Sequence, residues 1–566
     1  MKHVEYLRHL LQFAFRRNPL LYLSLLLSLV SVAVELAAMS SLFPLSVLAL
    51  GKPLEGELSL ASGGWVLVVL KWIGVAPSVR SIAILFVCVL LLRIVTMLAS
   101  QWLILLLGKR LHAQLSSAAF DNIVRHAPIQ AIDEKSVGYF ITLAGDESFR
   151  ASNLVIAISQ FTGIAALGVL YFASIAYFSA AAAVSVAIFL AMSFVALFGS
   201  FRESHRLGGL QVEQSQQAGS IFIDALNGIR AVRAMTAEAY VTERYRSEIF
   251  RYVRTLYKVE FANVVAKLAP VALLVMFGIV LLWRWDESGT EVQPAFVFVL
   301  LMYFMRFLPV VGQALRLFMQ VLADARAGQD ILRATAPPDE PPLKRDPLRS
   351  TVTSIEICRI DFEYSADKPV LKNFSLEFRA GRSYAVVGRS GSGKSTLLDL
   401  IMTFRVPSRG FVRVNGKDAQ AIEPTSLRSR IALVSQQATI FNDSLISNVL
   451  FGAEKSRQDV ARACQLAQLD QLIEMLPEGA ETRLTYQGSN LSGGQRQRIG
   501  LARAFVRDPD VVILDESTNA LDRETRTAIV VAVLERFRDR IVVMVTHDAE
   551  IAALADETID LDKSDQ

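Results

Sequence analysis

The chain has 566 residues, and at about 150 residues per domain that is too long for one ordinary unit and suggests two to four. Its apolar fraction of 52% and its positive mean hydropathy lie above a soluble composition and point to membrane segments. A net charge of +4 argues neither for nor against nucleic acid, and three widely separated cysteines (Cys88, Cys358, Cys464) argue against a disulfide framework or a CxxC zinc site.

The N-terminal "MKHVEYLRHLLQFAFRRNPL" is basic and amphipathic and has no small-residue cleavage site, so it reads as an interfacial helix rather than a signal peptide. Six apolar stretches follow, near 20–50, 81–107, 153–176, 178–200, 260–283 and 294–321. Each reaches the ~20 residues that a crossing helix needs. Lys2, Arg8, Arg16 and Arg17 favour a cytoplasmic N-terminus. The acidic "WRWDESGTEVQP" between spans five and six suits the outer side. Both termini are therefore expected in the cytoplasm of a multi-pass inner-membrane protein.

Residues 108–152 and 201–259 are far longer than a helix hairpin requires, yet they keep helical spacing and many charges. They read as spans two to five continuing as helices into the cytoplasm, with short transverse helices at "AIDEKSVGYF" and "MTAEAYVTERY". Charges inside spans are costly and usually functional. Glu35, Arg93, Arg306 and Arg316 sit in spans one, two and six. Arginine forks suit phosphate oxygens, so an inward-facing set would hold a lipid with a phosphate or pyrophosphate head group. The competing reading is that Glu35 pairs with an arginine as internal glue.

"ATAPPDEPPLKRDPLRS" is rich in proline and charge and lacks periodicity, so the chain is expected to divide into a membrane domain over 1–330, a linker over 331–351 and a soluble α/β domain over 352–566. Early in the last comes "YAVVGRSGSGKSTLLDL": an apolar strand, then Gly388, Arg389, Ser390, Gly391, Ser392, Gly393, Lys394, Ser395 and Thr396, then an apolar helix. That is the setting of a P-loop, in which backbone N–H groups and a helix N-terminus surround phosphate oxygens. Lys394 would reach the β and γ phosphates of a bound nucleotide, and Ser395 would ligate Mg²⁺.

"VVILDEST" is a strand ending in two carboxylates. Asp515 fits a metal holder and Glu516 a group that polarises the attacking water. His547 follows another apolar strand, "IVVMVTH", where a polar residue at the strand's C-terminal end faces the ligand region of a parallel sheet. "LSGGQRQR" adds a second anion cradle, from the Ser492 hydroxyl and the N–H groups of Gly493 and Gly494 at a helix start.

The ensemble of P-loop, "LSGGQ", "VILDE" and "TH" in this order resembles the ABC-transporter ATPase domain, and the six preceding spans resemble an ABC exporter half-transporter. The resemblance covers nearly the whole chain. It implies an α-helical polytopic membrane domain of exporter type followed by an α/β P-loop ATPase domain of ABC type. It further implies that Tyr364 stacks on adenine, that Gln436 contacts Mg²⁺ and links the ATPase to the membrane domain, and that His547 is the switch histidine. Such ATPases work as head-to-tail pairs, so Ser492, Gly493, Gly494, Gln495 and Asp522 would contact ATP held by the partner's P-loop. With both halves of the site intact in one chain, a homodimer is expected, with no nucleic-acid partner.

"VELAAMSSLFP", the position of Arg93, "RFLP" and "GSNLSGGQ" are similar to flippases of lipid-linked oligosaccharides. The implied cargo is such a lipid, or a related amphipathic lipid, moved from the inner to the outer leaflet. The alternatives are an exporter of another lipid, a drug or a peptide, or an ATP-gated channel or regulator. "TYQG" departs from the family in placing Tyr486 where exporters carry a glutamate.

Overall fold

The structure, a computed structural model, describes residues 2–49, 63–178, 180–286, 294–335, 345–364, 369–518 and 520–562. Over most of 178–200 and 269–304 it describes the helical backbone alone. The chain divides into a helical unit formed by most of residues 1–337 and an α/β unit formed by 338–566.

The helical unit opens with α1 (Lys2–Arg17), α2 (Leu20–Ser40) and α3 (Leu42–Ala49). The first expected span is thus two helices, divided at Ser41, with Pro44 early in the second. A helix that the hydropathy reading did not assign, α4 (Gly64–Ile73), folds back on this break. Trp65 donates its indole N–H to Ser40 Oγ at 2.8 Å. Gly63 makes the approach possible: its φ is +88°, and a Cβ there would lie 2.4 Å from the Ser40 carbonyl oxygen.

Long helices follow: α5 (Val79–His126), then past two short ones α8 (Ser148–Phe178), α9 (Ala180–Asn227), α11 (Glu238–Asp286) and α12 (Pro294–Thr335). At 1.5 Å per residue the 48-residue α5 is about 70 Å long, more than twice a bilayer's hydrocarbon core. Among the described residues helix occupies most of each of the six expected spans, and four segments are both long and apolar enough to cross: Leu20–Leu48, Val79–His126, Val137–Tyr177 and Met305–Thr335. The acidic loop expected on the outer side falls largely on 287–293, outside the described residues, as does most of the proline-rich linker.

At the first turning point the short helices are α6 (Ile129–Asp133) and α7 (Val137–Thr142), parted at 134–136, with the Ser136 side chain capping α7. At the second, the short helix is α10 (Ile229–Ala234), and "EAYVTERY" instead begins the long helix α11. The expected position was too late by about two turns because charged, helix-forming residues run on from Glu238 without a break.

In the α/β unit, β1 (Ser354–Glu363), β2 (Pro369–Arg379), β4 (Arg409–Val414) and β5 (Lys417–Asp418) form an antiparallel sheet in the order β2-β1-β4-β5. A parallel sheet takes the order β6-β7-β8-β3-β9, from β3 (Arg382–Val387), β6 (Ile431–Val434), β7 (Val511–Asp515), β8 (Ile541–Val545) and β9 (Glu557–Asp560). β7 and β8 are buried nearly end to end, as near-continuous apolar runs covered on both faces should be. Helices α13 (Lys394–Ile401) and α14 (Pro424–Arg428) pack with the β1–β4 side. A helical lobe of α15 (Leu445–Leu450), α16 (Arg457–Leu466) and α17 (Asp470–Met475) joins α18 (Gly493–Arg507) and α19 (Arg523–Arg536) around a second core, with the short α20 (Ala549–Ala552) after β8.

Candidate functional site

The order β6-β7-β8-β3 decides where the chemistry lies. Gln436 follows β6, Asp515 ends β7, His547 follows β8 and the phosphate loop follows β3, so four neighbouring parallel strands deliver these residues to one edge of the sheet. The C-terminal edge of an open parallel sheet is where such folds bind ligands. β7 and β8 are in register through Asp515 and Val545, which sets Asp515 and Glu516 beside His547.

Glu516 lies between two partners. Gln436 Nε2 donates to one of its carboxylate oxygens at 2.9 Å, and His547 Nε2 is 2.6 Å from the other. Its φ of +46° lies in the left-handed region, and its N–H is held by the Val545 carbonyl at 3.0 Å. A non-glycine residue in that conformation, over-determined by its neighbours, is typical of a functional position. Asp515 is half-buried; burial, then the charges of Glu516 and Asp399, push its carboxyl above the usual carboxylate range, while Lys394 pulls it down.

The loop Gly388–Thr396 turns from β3 into α13. Gly391 and Gly393 have φ of +86° and +94°, and Gly393 stands directly before the helix. The Lys394 ammonium is buried and folds back on the loop, donating to the carbonyls of Gly388 and Arg389 at 2.7 and 2.8 Å. Ser392 Oγ is buried with no partner among the described residues. Ser390 and Ser395 are exposed, and the Arg389 N–H donates to Asp562. Tyr364 is 53% exposed; its hydroxyl lies 3.0 Å from Thr396 Oγ1 and the Arg405 guanidinium sits over its ring at 4.8 Å.

A buried hydroxyl with no partner among the described residues, a buried cation donating to loop carbonyls and a half-buried carboxyl pushed up by burial and then by neighbouring acids suit a polyphosphate carrying a divalent cation. Ser395, Gln436 and Asp515 are the residues that would hold Mg²⁺, which would neutralise phosphate charge there.

Ser492 is the N-cap of α18. Its hydroxyl accepts from Gln495 N at 3.1 Å while Gln495 Oε1 accepts from Ser492 N at 2.8 Å, a capping box that fixes the N-terminus. Gly493 and Gly494 lie against the loop after β7: a Cβ on Gly494 would be 3.0 Å from Leu521 Cδ2 and 3.2 Å from the Ala520 carbonyl oxygen. Asp522 caps α19, accepting from Thr525 N at 2.9 Å. The run of arginines after the signature is not a solvated basic face. Arg496, Arg498 and Arg503 donate to the carbonyls of Leu491, Gln468 and Asn448. The Tyr486 side chain lies outside the described residues.

In the helical unit, Arg93 and Glu35 form an ion pair at 2.9 Å, and the buried Tyr171 hydroxyl donates to the other Glu35 oxygen at 2.8 Å. Arg306 is exposed and Arg316 partly so, and neither has an ion-pair partner among the described residues. The motif reading missed one buried group at the nucleotide edge, Gln497, which contacts the backbone of two loops at once. Its signal was its spacing: it follows Gly493 by four residues on one face of α18.

A helical membrane region followed by a P-loop ATPase with a second helix-start cradle is a definite class, the nucleotide-driven membrane transporters. The sequence pattern described as ABC transporter transmembrane region matches residues 25–308, and that described as ABC transporter matches 371–519. The chain belongs to the ABC transporter family, as a half-transporter with one transmembrane and one ATPase domain. It is 28% identical over 477 residues to the ATP-dependent lipid A-core flippase of Alkalilimnicola ehrlichii, covering 83% of this chain and 80% of the relative.

It is also 32% identical to the heterocyst differentiation ATP-binding protein HepA of a Nostoc species and 30% identical to the mitochondrial iron-sulfur clusters transporter ATM1 of Yarrowia lipolytica. Each of these two matches covers 61% of this chain, and they span 57% and 50% of those relatives' own lengths. Among solved structures, a bacterial Atm1-family ABC exporter with ATP bound shares the fold, with a TM-score of 0.76 over 97% of this chain and 95% of that one at 22% identity. In this family ATP hydrolysis is coupled to transport.

Proposed function

We propose that two copies of this chain form an ATP-driven exporter of the inner membrane that carries a lipid-linked oligosaccharide, or a related amphipathic lipid, from the inner to the outer leaflet. The observation that carries the ATPase part is Glu516 held between Gln436 and His547 on the sheet edge that also bears the phosphate loop. Here 1–330 is the transport domain, 331–351 the linker and 352–566 the motor, with both termini cytoplasmic.

One chain's Gly388–Thr396 holds the triphosphate and Tyr364 stacks on the adenine. The partner copy supplies Ser492, Gly493, Gly494, Gln495 and Asp522, whose helix start is built to receive a γ-phosphate. Glu516 takes the proton of the attacking water as its oxygen bonds to the γ-phosphorus and the bond to the bridging oxygen breaks. Gln436 and His547 keep that carboxylate oriented. ATP drives the cycle because it binds the closed pair more tightly than the open one.

The lipid cargo is supported by the similarity to a lipid A-core flippase over most of the chain and by arginines in the helical unit suited to phosphate. The similarity to ATM1, named for iron-sulfur clusters, favours a second reading in which the same engine exports a cargo other than a lipid. Two experiments separate these claims. Glu516→Gln retains ATP binding and lowers hydrolysis by about a thousandfold, trapping a closed dimer; near-normal turnover would remove Glu516 as the base. Reconstituted protein assayed for ATPase stimulation against polyprenyl-pyrophosphate glycans, lipid A-like lipids and peptides responds to the first group, and stimulation by lipid A-like lipids or peptides alone would overturn the glycan cargo.

A further inference from the structure

Gln497 on the signature helix α18 reaches into the nucleotide edge. Gln497 is 4% exposed and sits one turn beyond the Gly493 cradle. Its Nε2 donates to the Gln436 backbone carbonyl at 3.2 Å, and its Oε1 accepts the Ala520 N–H at 3.1 Å. The first partner belongs to the residue whose side chain holds Glu516, and the second lies two residues before Asp522. One bond needs a donor and the other an acceptor, and the Gln497 amide supplies both in one orientation.

The surrounding packing makes this a stiff connection. A Cβ on Gly500 would lie 3.2 Å from Ala438 Cβ and 3.4 Å from Val434 Cγ1, so the helix runs close against the Gln436 loop. Gly494, one turn the other way, is as close to Leu521 and the Ala520 carbonyl. On the far side of the Ala520 loop, Arg526 donates to the Leu521 carbonyl at 3.0 Å and to Asp548 at 2.6 Å, next to His547. The second cradle, the Gln436 loop, the Ala520–Asp522 loop and the residue after His547 are thus joined by specific hydrogen bonds, with Gln497 at the junction.

We infer that Gln497 is a positioning residue that transmits the seating of a phosphate at Ser492–Gly494 to the Gln436–Glu516 pair of the same chain. Its two backbone bonds hold the Gln436 loop in register with α18, so a shift of the helix start moves Gln436 against Glu516. The inference rests on the reading of that cradle and of Glu516 given above. Both ends of the Gln497 amide are bound to backbone, so its loss leaves nucleotide affinity in place while lowering turnover.

The test is a mutant cycle on the full chain in proteoliposomes, measuring kcat and KM for ATP together with thermal unfolding. Gln497→Met keeps length and volume without either bond. It lowers kcat about tenfold, with KM within about twofold and the protein still fully folded at the assay temperature. Because Gln497 acts through Gln436, adding Gln436→Ala causes much less further loss than Gln436→Ala causes alone.

Wild-type kcat in Gln497→Met, additive losses, or a kcat loss fully accounted for by unfolded protein at the assay temperature would overturn the inference. Should the Met variant fail to fold, Gln497→Glu keeps the acceptor for Ala520 but sets an oxygen against the Gln436 carbonyl, and it loses turnover in the same sense; wild-type turnover there overturns the inference equally. If Gln436→Ala and Glu516→Gln both keep wild-type turnover, the site reading itself fails and the inference falls with it. If they lose turnover and Gln497 variants do not, the inference alone fails.

Discussion

The Glu35–Arg93–Tyr171 contact asks whether an intramembrane arginine serves cargo or fold. Both Glu35 oxygens are engaged, by Arg93 at 2.9 Å and Tyr171 at 2.8 Å, and the Glu35 side chain is 8% exposed against 22% for Arg93. Glu35→Leu leaves a guanidinium without its counter-charge in a low-dielectric setting, a loss of about 3–5 kcal/mol. Arg93→Leu strands the carboxylate at similar cost. Tyr171→Phe removes one hydrogen bond to a charged acceptor, about 1.5–3 kcal/mol.

The double variant Glu35→Leu/Arg93→Leu removes both charges, so it is more stable than either single, with a coupling of about 3 kcal/mol. Thermal unfolding of the four proteins in one detergent reads the stability cycle. Lipid-stimulated ATPase of the double variant reads function. If the pair is internal glue, the double variant unfolds near the wild-type temperature and keeps its stimulation. Additive destabilisation would refute the pairing, and a stable double variant without stimulation would return Arg93 to the cargo site.

Two further outcomes follow from the nucleotide edge. Asp515 has a folded-state pKa raised by burial and then by neighbouring acids, so its contribution to stability is present at low pH and lost as pH rises through that raised value. In nucleotide-free, metal-free protein, Asp515→Asn therefore raises the unfolding temperature at neutral pH, and the gain disappears on acidification into the ordinary carboxylate range; an equal gain at both ends of the titration would contradict the assigned cause. Gly494→Val places a branched side chain where even a Cβ meets the Ala520 carbonyl at 3.2 Å, so the loop carrying Asp522 must move. Overpacking of this kind costs about 1–3 kcal/mol, and ATPase activity falls with it; wild-type unfolding and turnover together would show that the loop yields freely.

Much of this was legible because it rests on short-range order. A strand, a glycine loop and a helix start are contiguous in "YAVVGRSGSGKSTLLDL", so the Gly388–Thr396 cradle could be read from one segment, and the capping box of α18 is spelled by Ser492 and Gln495 three residues apart. Gln436, Glu516 and His547 come together only through the strand order β6-β7-β8, which no local pattern specifies. Gln497 was missed for that reason. A glutamine on a polar helix looks solvent-facing until the loops that cover it are known. The two-helix first span and α4 depended on Gly63 meeting Ser40, a contact across a segment with no repeating signal.

The same distinction bears on cargo. Among the intramembrane charges Glu35, Arg93, Arg306 and Arg316, the sequence allows that Glu35 pairs with an arginine, and the structure shows that arginine to be Arg93. Glu35 and Arg93 are paired, so moving Arg93 to an anionic head group would leave Glu35 with its Tyr171 hydrogen bond and without its counter-charge. Arg306 has no such competing partner among the described residues and is exposed on α12. For a guanidinium, capture of a phosphate costs less where no buried ion pair must first be broken. Cargo affinity should therefore respond more to Arg306 than to Arg93, and stability in the opposite order; each ranking is measurable on the same two alanine variants, and reversal of both would make Arg93 the cargo residue and Arg306 the structural one.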